Sequence, residues 1–224
     1  TGVSPKVEVE ESMPAHNVLL AVNHSSYLDP VVLSAVITGG LTFVAKEELA
    51  GQRVAGPFLR NIGTLFVRRT DVKGGVEDTR NVLEASLSGE RIVSFPEGTL
   101  TRMPGLLGFQ IGSFLVAAKA GIPVVPIVVS GTRSALRGGQ WFPRRSNIDV
   151  HIGKAMRADG SDFSAAIRLR DAVRARMLAL SGEPDLALEK DQLHSDHTRL
   201  ELCGPDVRAA RGNPKRRVDI PRIR

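Results

Sequence analysis

Short apolar runs alternate with segments of helical periodicity from residue 17 to residue 153. Residues 17–22, 41–45, 64–68, 91–95, 124–129 and 147–152 are rich in Val and Ile and predict strands. Between them, residues 30–38, 72–87 and 111–120 predict helices. In the second of these, Val72, Val76, Leu83 and Leu87 share one face, and Gly89 is a natural stop. Residues 161–181 predict a further helix whose apolar stripe, Phe163, Ile167, Val173, Met177 and Leu180, would pack on the sheet. Such alternation is the signature of an α/β sheet covered by helices. Beyond Gly182 the periodicity fails. Residues 183–224 mix charges, Gly and Pro, end in Lys215-Arg216-Arg217 and Arg222, and read as a flexible basic tail or linker. The expected organisation is therefore one domain over residues 1–182 followed by that tail.

Composition narrows the class of partner. A chain of 224 residues with 42% hydrophobic residues can bury a full-sized core. The single cysteine, Cys203, excludes an internal disulfide and a Cys-x-x-Cys metal site, and fits a reducing compartment. A formal charge of +6 favours an anionic membrane surface, a phosphorylated substrate or nucleic acid. Nucleic acid is set aside, because the basic residues are not interleaved with aromatics and no nucleic-acid-binding signature appears. No apolar run approaches the roughly 18 residues of a membrane span, and there is no signal peptide. The chain begins at Thr1, which leaves room for an anchor in segments outside it.

The sharpest polar signal follows the first apolar run directly. Asn23-His24-Ser25-Ser26-Tyr27-Leu28-Asp29-Pro30 puts a carboxylate five residues after a histidine. A histidine oriented by a carboxylate is a common general base for removing a hydroxyl proton near neutral pH. On a continuous helix five residues rotate a side chain by about 140°, so the pair meets only where a strand end turns into a helix. Asp29-Pro30, which looks like an N-cap and a first-turn proline, offers that turn. The same residues also fit a plainer reading: a capping Asp29, turn formers at Asn23 and Ser25, and a half-buried, satisfied His24. No serine or cysteine nucleophile is paired with His24, which points to a hydroxyl brought by the substrate.

Three further blocks are ambiguous singly. Phe95-Pro96-Glu97-Gly98-Thr99-Leu100-Thr101-Arg102 follows a predicted strand, where open α/β sheets place their ligands. There Glu97 can bind hydroxyls and Gly98 admits a close approach to the backbone, or the block is an ordinary polar turn. In Gly63-Thr64-Leu65-Phe66-Val67-Arg68-Arg69 the two arginines point to opposite faces of a strand, so only one can enter a pocket. Arg suits bidentate phosphate binding, and a solvated strand end is the alternative. Val124-Val125-Pro126-Ile127 is an apolar strand in which Pro126 predicts an edge, a bulge or a bend.

In this order and at these separations, the four blocks resemble the glycerolipid acyltransferase family of the 1-acylglycerol-3-phosphate acyltransferase type. The resemblance runs from about Val7 to Ile152 and includes Lys46-Glu47-Glu48-Leu49. It implies a mixed, largely parallel central sheet covered by helices, as in glycerol-3-phosphate acyltransferase. It implies His24 as general base and Asp29 as its orienting partner. By the same resemblance Asn23, Lys46, Arg69, Glu97, Gly98, Thr99 and Arg102 would bind the acceptor. The implied reaction moves an acyl group from acyl-CoA or acyl-carrier protein to a lysophospholipid hydroxyl, with lysophosphatidic acid leading, and needs no metal or other cofactor. The implied location is peripheral, at the cytoplasmic face of an anionic membrane, with an anchor outside this chain as a further possibility.

Two departures bear on the acceptor and the membrane. Lysophosphatidate-type members commonly carry Arg after Glu-Gly-Thr, where this chain has Leu100; Arg102 or Arg133 can take that role. The family's N-terminal hydrophobic or amphipathic helices have no counterpart here. Another acceptor, a thioester hydrolase and a non-catalytic lipid-binding module are the rival readings. His194-Ser195-Asp196-His197 has metal-like spacing but lacks further ligands. Trp141-Phe142 beyond Gly138-Gly139 fits either a membrane-interface loop or ordinary packing.

Overall fold

A strand buried on both faces needs no polar alternation, and Val18–Val22 shows this, with every residue buried. The computed structural model describes residues 4–51, 55–67, 82, 84–85, 88–100, 103–136, 142 and 144–188. The strands are β1 (Lys6–Val9), β2 (Val18–Val22), β3 (Thr42–Lys46), β4 (Thr64–Val67), β5 (Arg91–Ser94), β6 (Leu106–Leu107), β7 (Val124–Ser130), β8 (Asp149–Ile152) and β9 (Asp185–Leu186). The helices are α1 (Asp29–Val36), α2 (Ala55–Asn61), α3 (Gly112–Ala120), α4 (Thr132–Ala135) and α5 (Phe163–Ser181), with a 3-10 turn over Glu47–Gly51.

Among the described residues, seven strands form one sheet in the order β1-β8-β7-β2-β5-β3-β4. Every neighbouring pair is parallel except β7 with β8. The fold is therefore α/β with a mixed, mostly parallel sheet, as the resemblance implies. Alternation along β2 feeds two cores. Leu19 and Ala21 face Phe114 of α3 and Leu169, Val173 and Met177 of α5, while Val18, Leu20 and Val22 join Val32 and Leu33 of α1. This places the strand ends around β2 between two packed layers, a rigid base for polar groups.

Several expectations change. Asp29 is not a cap: it is the first residue of α1, and the N-cap is Leu28, without a side-chain bond. The buried face of α5 is Ala165, Ala166, Leu169, Val173 and Met177, whereas Phe163 is 57% exposed. At 3.6 residues per turn, Phe163 lies about a quarter-turn from the centre of that face. Pro126 sits in a central strand, where it pairs with Ala21. The antiparallel ladder on the other side ends at Ile127 and Ile152, and Pro126 there only accepts, from the Gly153 amide at 2.9 Å. A residue without an N–H fits such a ladder end.

The segment expected to open the tail is folded further than Gly182. Gly182 ends α5 at φ 61°, and β9 then pairs in parallel with β6. The compact unit runs through Ala187. Of the predicted helix at 72–87, Val82, Glu84 and Ala85 are described, and all are helical.

Candidate active site

The residues with chemistry to offer stand at the carboxyl ends of parallel strands, the usual ligand position in such sheets. His24 follows β2 and Glu97 follows β5, and these strands are adjacent. Lys46 ends β3, the next strand but one from β2.

His24 Nδ1 lies 3.0 Å from Asp29 Oδ2. The same oxygen accepts the backbone N–H groups of Ser25 at 2.8 Å and Ser26 at 2.9 Å. Asp29 is fully buried. A turn between β2 and α1 thus wraps its own amides around the carboxylate that faces the ring. A neutral ring that donates from Nδ1 to Asp29 keeps the Nε2 lone pair free. The ring stacks on Phe95, with centroids 4.2 Å apart and planes 28° apart, which limits its rotation.

Glu97 is 1% exposed and spends both oxygens on backbone. Oε1 accepts the His24 N–H at 2.8 Å and Oε2 the Leu107 N–H at 3.0 Å. Burial pushes its pKa up, against the pull of those two amides and of His24; the charge of Glu183 adds to the rise. The carboxylate expected to meet substrate hydroxyls is thus engaged in joining β2, β5 and β6. Gly98, at φ 72°, closes the turn by donating to the Phe95 carbonyl at 3.0 Å.

Asn23 is likewise committed. Its Nδ2 donates to the Val129 carbonyl at 3.0 Å and its Oδ1 accepts the Val129 N–H at 2.7 Å. This clasp ties the end of β2 to β7 and brings α4 beside the site. Gly131, between β7 and α4, has φ 83°, and a Cβ there would meet the Asn147 carbonyl oxygen at 1.8 Å. Ser26 Oγ donates to the Leu136 carbonyl at 2.8 Å, and Arg133 Nη2 donates to Ser25 Oγ at 3.3 Å.

The structure therefore brings His24, Asp29, Asn23 and Glu97 together, with Gly98 in the same turn as Glu97 and Thr99 following it in the chain. Arg69, Arg102, Trp141 and the segment from His194 to His197 lie outside the described residues. The backbone amides of Ser25, Ser26 and Leu107, and Glu183, were not singled out from the sequence. Amides carry no residue-type signal, and Glu183 stands in a polar stretch without pattern.

The Acyltransferase family matches residues 4–130, and the chain belongs to that family. A 1-acyl-sn-glycerol-3-phosphate acyltransferase of Saccharomyces cerevisiae is 33% identical over 180 residues, covering 79% of this chain and 59% of that protein. The chain thus spans little more than half the length of this relative. A lyso-ornithine lipid O-acyltransferase of Pseudomonas aeruginosa is 30% identical over 200 residues, covering 89% of this chain and 73% of that protein. The crystal structure of the 1-acyl-sn-glycerophosphate acyltransferase PlsC from Thermotoga maritima shares the fold, with a TM-score of 0.61 and 24% identity over 79% of this chain and 72% of that one.

Proposed function

We propose that the protein transfers an acyl group from a thioester, acyl-CoA or acyl-carrier protein, to the free hydroxyl of a lysolipid. His24 Nε2 takes the hydroxyl proton, the oxygen attacks the thioester carbonyl, and the tetrahedral intermediate collapses with the thiolate leaving. The imidazolium returns its proton to that thiolate, so the site ends as it began. Asp29 orients the ring and stabilises the imidazolium. Asn23 and Glu97 hold the turn that carries His24, and Glu97 acts through the backbone. The observation that carries this reading is His24 Nδ1 3.0 Å from an Asp29 carboxylate that two backbone amides also grip.

The leading acceptor is 1-acylglycerol-3-phosphate, giving phosphatidic acid, the acceptor named for the yeast relative. Lys46, Arg69 and Arg102 are the cations proposed to hold its phosphate, beside the backbone at Gly98 and Thr99. A second acceptor class, a lyso-ornithine lipid, is favoured by the name of the Pseudomonas relative, of which the chain covers 73%. Among the described residues no helix is long and apolar enough to cross a membrane. The proposed attachment is peripheral, through Tyr27 and Phe142, which are exposed, and through basic residues such as Arg144 and Arg145.

A panel of lysolipid acceptors with one acyl donor, run on wild type and His24→Ala side by side, tests the proposal. Wild type is expected to acylate 1-acylglycerol-3-phosphate and the variant to fail on every acceptor. Wild-type transfer rates in His24→Ala would remove the mechanism. Preference for an acceptor without a phosphate monoester would remove the leading substrate.

A further inference from the structure

Arg133 sits on α4, directly after the strand that Asn23 clasps. Its Nη2 lies 3.3 Å from Ser25 Oγ, and the Ser25 amide is one of the donors to Asp29. The guanidinium therefore stands against the residue that follows His24. Its fork is filled by a carboxylate from far along the chain: Nη1 donates to Glu183 Oε1 at 2.7 Å and Nη2 to Glu183 Oε2 at 3.2 Å. Glu183 Oε2 also accepts the Gly105 N–H at 2.8 Å. The Arg133 Nε is buried without a hydrogen-bond partner.

The segment after α5 has other ties besides this ion pair. Arg174 donates to the carbonyls of Leu106 and Leu107 and to the Asp185 carboxylate, and β9 is paired with β6. Arg133 and Glu183 side chains are 17% and 28% exposed, so the pair opens toward solvent rather than being sealed in the core. A planar guanidinium offering two N–H groups to two oxygens accepts a carboxylate or a phosphate with the same geometry.

We propose that Arg133 joins the cations already assigned to the acceptor phosphate, and that Glu183 is its internal stand-in, displaced when the acceptor binds. The inference rests on the lysolipid acyltransferase reading of the site. In the free protein the Glu183 carboxylate neutralises the cation beside His24. In the complex the phosphate takes the two guanidinium N–H groups, and Glu183 keeps the Gly105 amide and turns its other oxygen to water. Acceptor affinity is then a competition that Arg133 promotes and Glu183 opposes.

Arg133→Gln and Glu183→Gln break the same ion pair, and the proposal gives them opposite effects. With acyl-CoA as donor, the KM for 1-acylglycerol-3-phosphate is expected to rise about tenfold in Arg133→Gln and to fall about threefold in Glu183→Gln. Arg133→Lys, a milder change that keeps the charge but not the fork, is expected to fall between wild type and Arg133→Gln. With 1-acylglycerol, which has no phosphate, neither Gln variant should shift the acceptor KM. A pair that serves only as a structural tie would move KM the same way in both Gln variants, and that result, or no shift in either, overturns the inference while leaving the acyltransferase reading intact. Wild type that acylates 1-acylglycerol but not 1-acylglycerol-3-phosphate removes the leading substrate and this inference together.

Discussion

His24 donates its backbone N–H to Glu97 Oε1 at 2.8 Å, across 73 residues of sequence. The residue proposed as the base is thus held at two points, by Asp29 through its ring and by Glu97 through its main chain. Both acids are buried, so each depends on the donors that converge on it.

Glu97→Gln removes one acceptor from a position that serves two backbone donors, because an amide has a single acceptor oxygen. Either His24 N–H or Leu107 N–H loses its partner, and the turn carrying the base loosens. The expected result is a fall in kcat of about tenfold or more, with a smaller change in acceptor KM, measured by steady-state kinetics.

The same substitution has a signed pH dependence. Burial raises the pKa of Glu97 in the folded chain. Its contribution to stability is then fully present below the unfolded value, about 4.3, and is lost as pH rises through the folded value. The variant does not titrate there. The thermal midpoint of Glu97→Gln relative to wild type should therefore improve as pH rises above about 4.3. A difference that moves the other way would contradict the burial argument.

Asp29→Asn should cost both activity and stability. Asp29 Oδ1 is buried without a partner, while Oδ2 takes the Ser25 and Ser26 amides. An Asn that keeps its oxygen on those amides turns a buried NH2 toward the side where Oδ1 has no partner, at a cost of about 1–3 kcal/mol. Loss of the orienting charge should lower kcat by ~10²–10⁴. Urea unfolding and transfer assays on the purified variant check the two parts separately.

Asn23→Ala opens the clasp on Val129, whose N–H and carbonyl are both served by the Asn23 amide. Two backbone groups at the centre of the sheet are left unpaired, and a destabilisation of about 1–3 kcal/mol is expected. Chemical denaturation measures it. A variant as stable as wild type would show that the clasp is dispensable.

Gly105→Ala tests the tie between β6 and β9. Gly105 has φ 136°, and a Cβ there would stand 2.2 Å from Leu186 Cδ1. The Leu186 side chain must shift and the backbone at residue 105 is strained, so amide exchange at Asp185–Leu186 should rise above wild type while the central strand β2 stays protected.

Much of the architecture is legible in the chain itself. Runs such as Val18–Val22 and Val124–Val129 announce buried strands because a parallel sheet covered on both faces requires continuous apolar residues. The His24 and Glu97 blocks follow two such runs, so their place at strand ends can be read locally. Other features resist that reading. Lys6–Val9 alternates charge with Val, is exposed throughout, and becomes a strand only by pairing with Asp149–Ile152. Its polar edge position leaves little hydrophobic signal.

The sequence by itself determined the α/β class and most strand positions, since each depends on neighbours a few residues apart, and it offered the pairing of His24 with Asp29 as one of two readings. Only the tertiary structure decided what Glu97, Asn23 and Glu183 do. Their partners, His24 and Leu107, Val129, and Arg133, are brought close by sheet order, register and the turn after α5. Hydrophobic periodicity is a local property of the chain, whereas the donors that meet a buried carboxylate are chosen by the packing of distant strands.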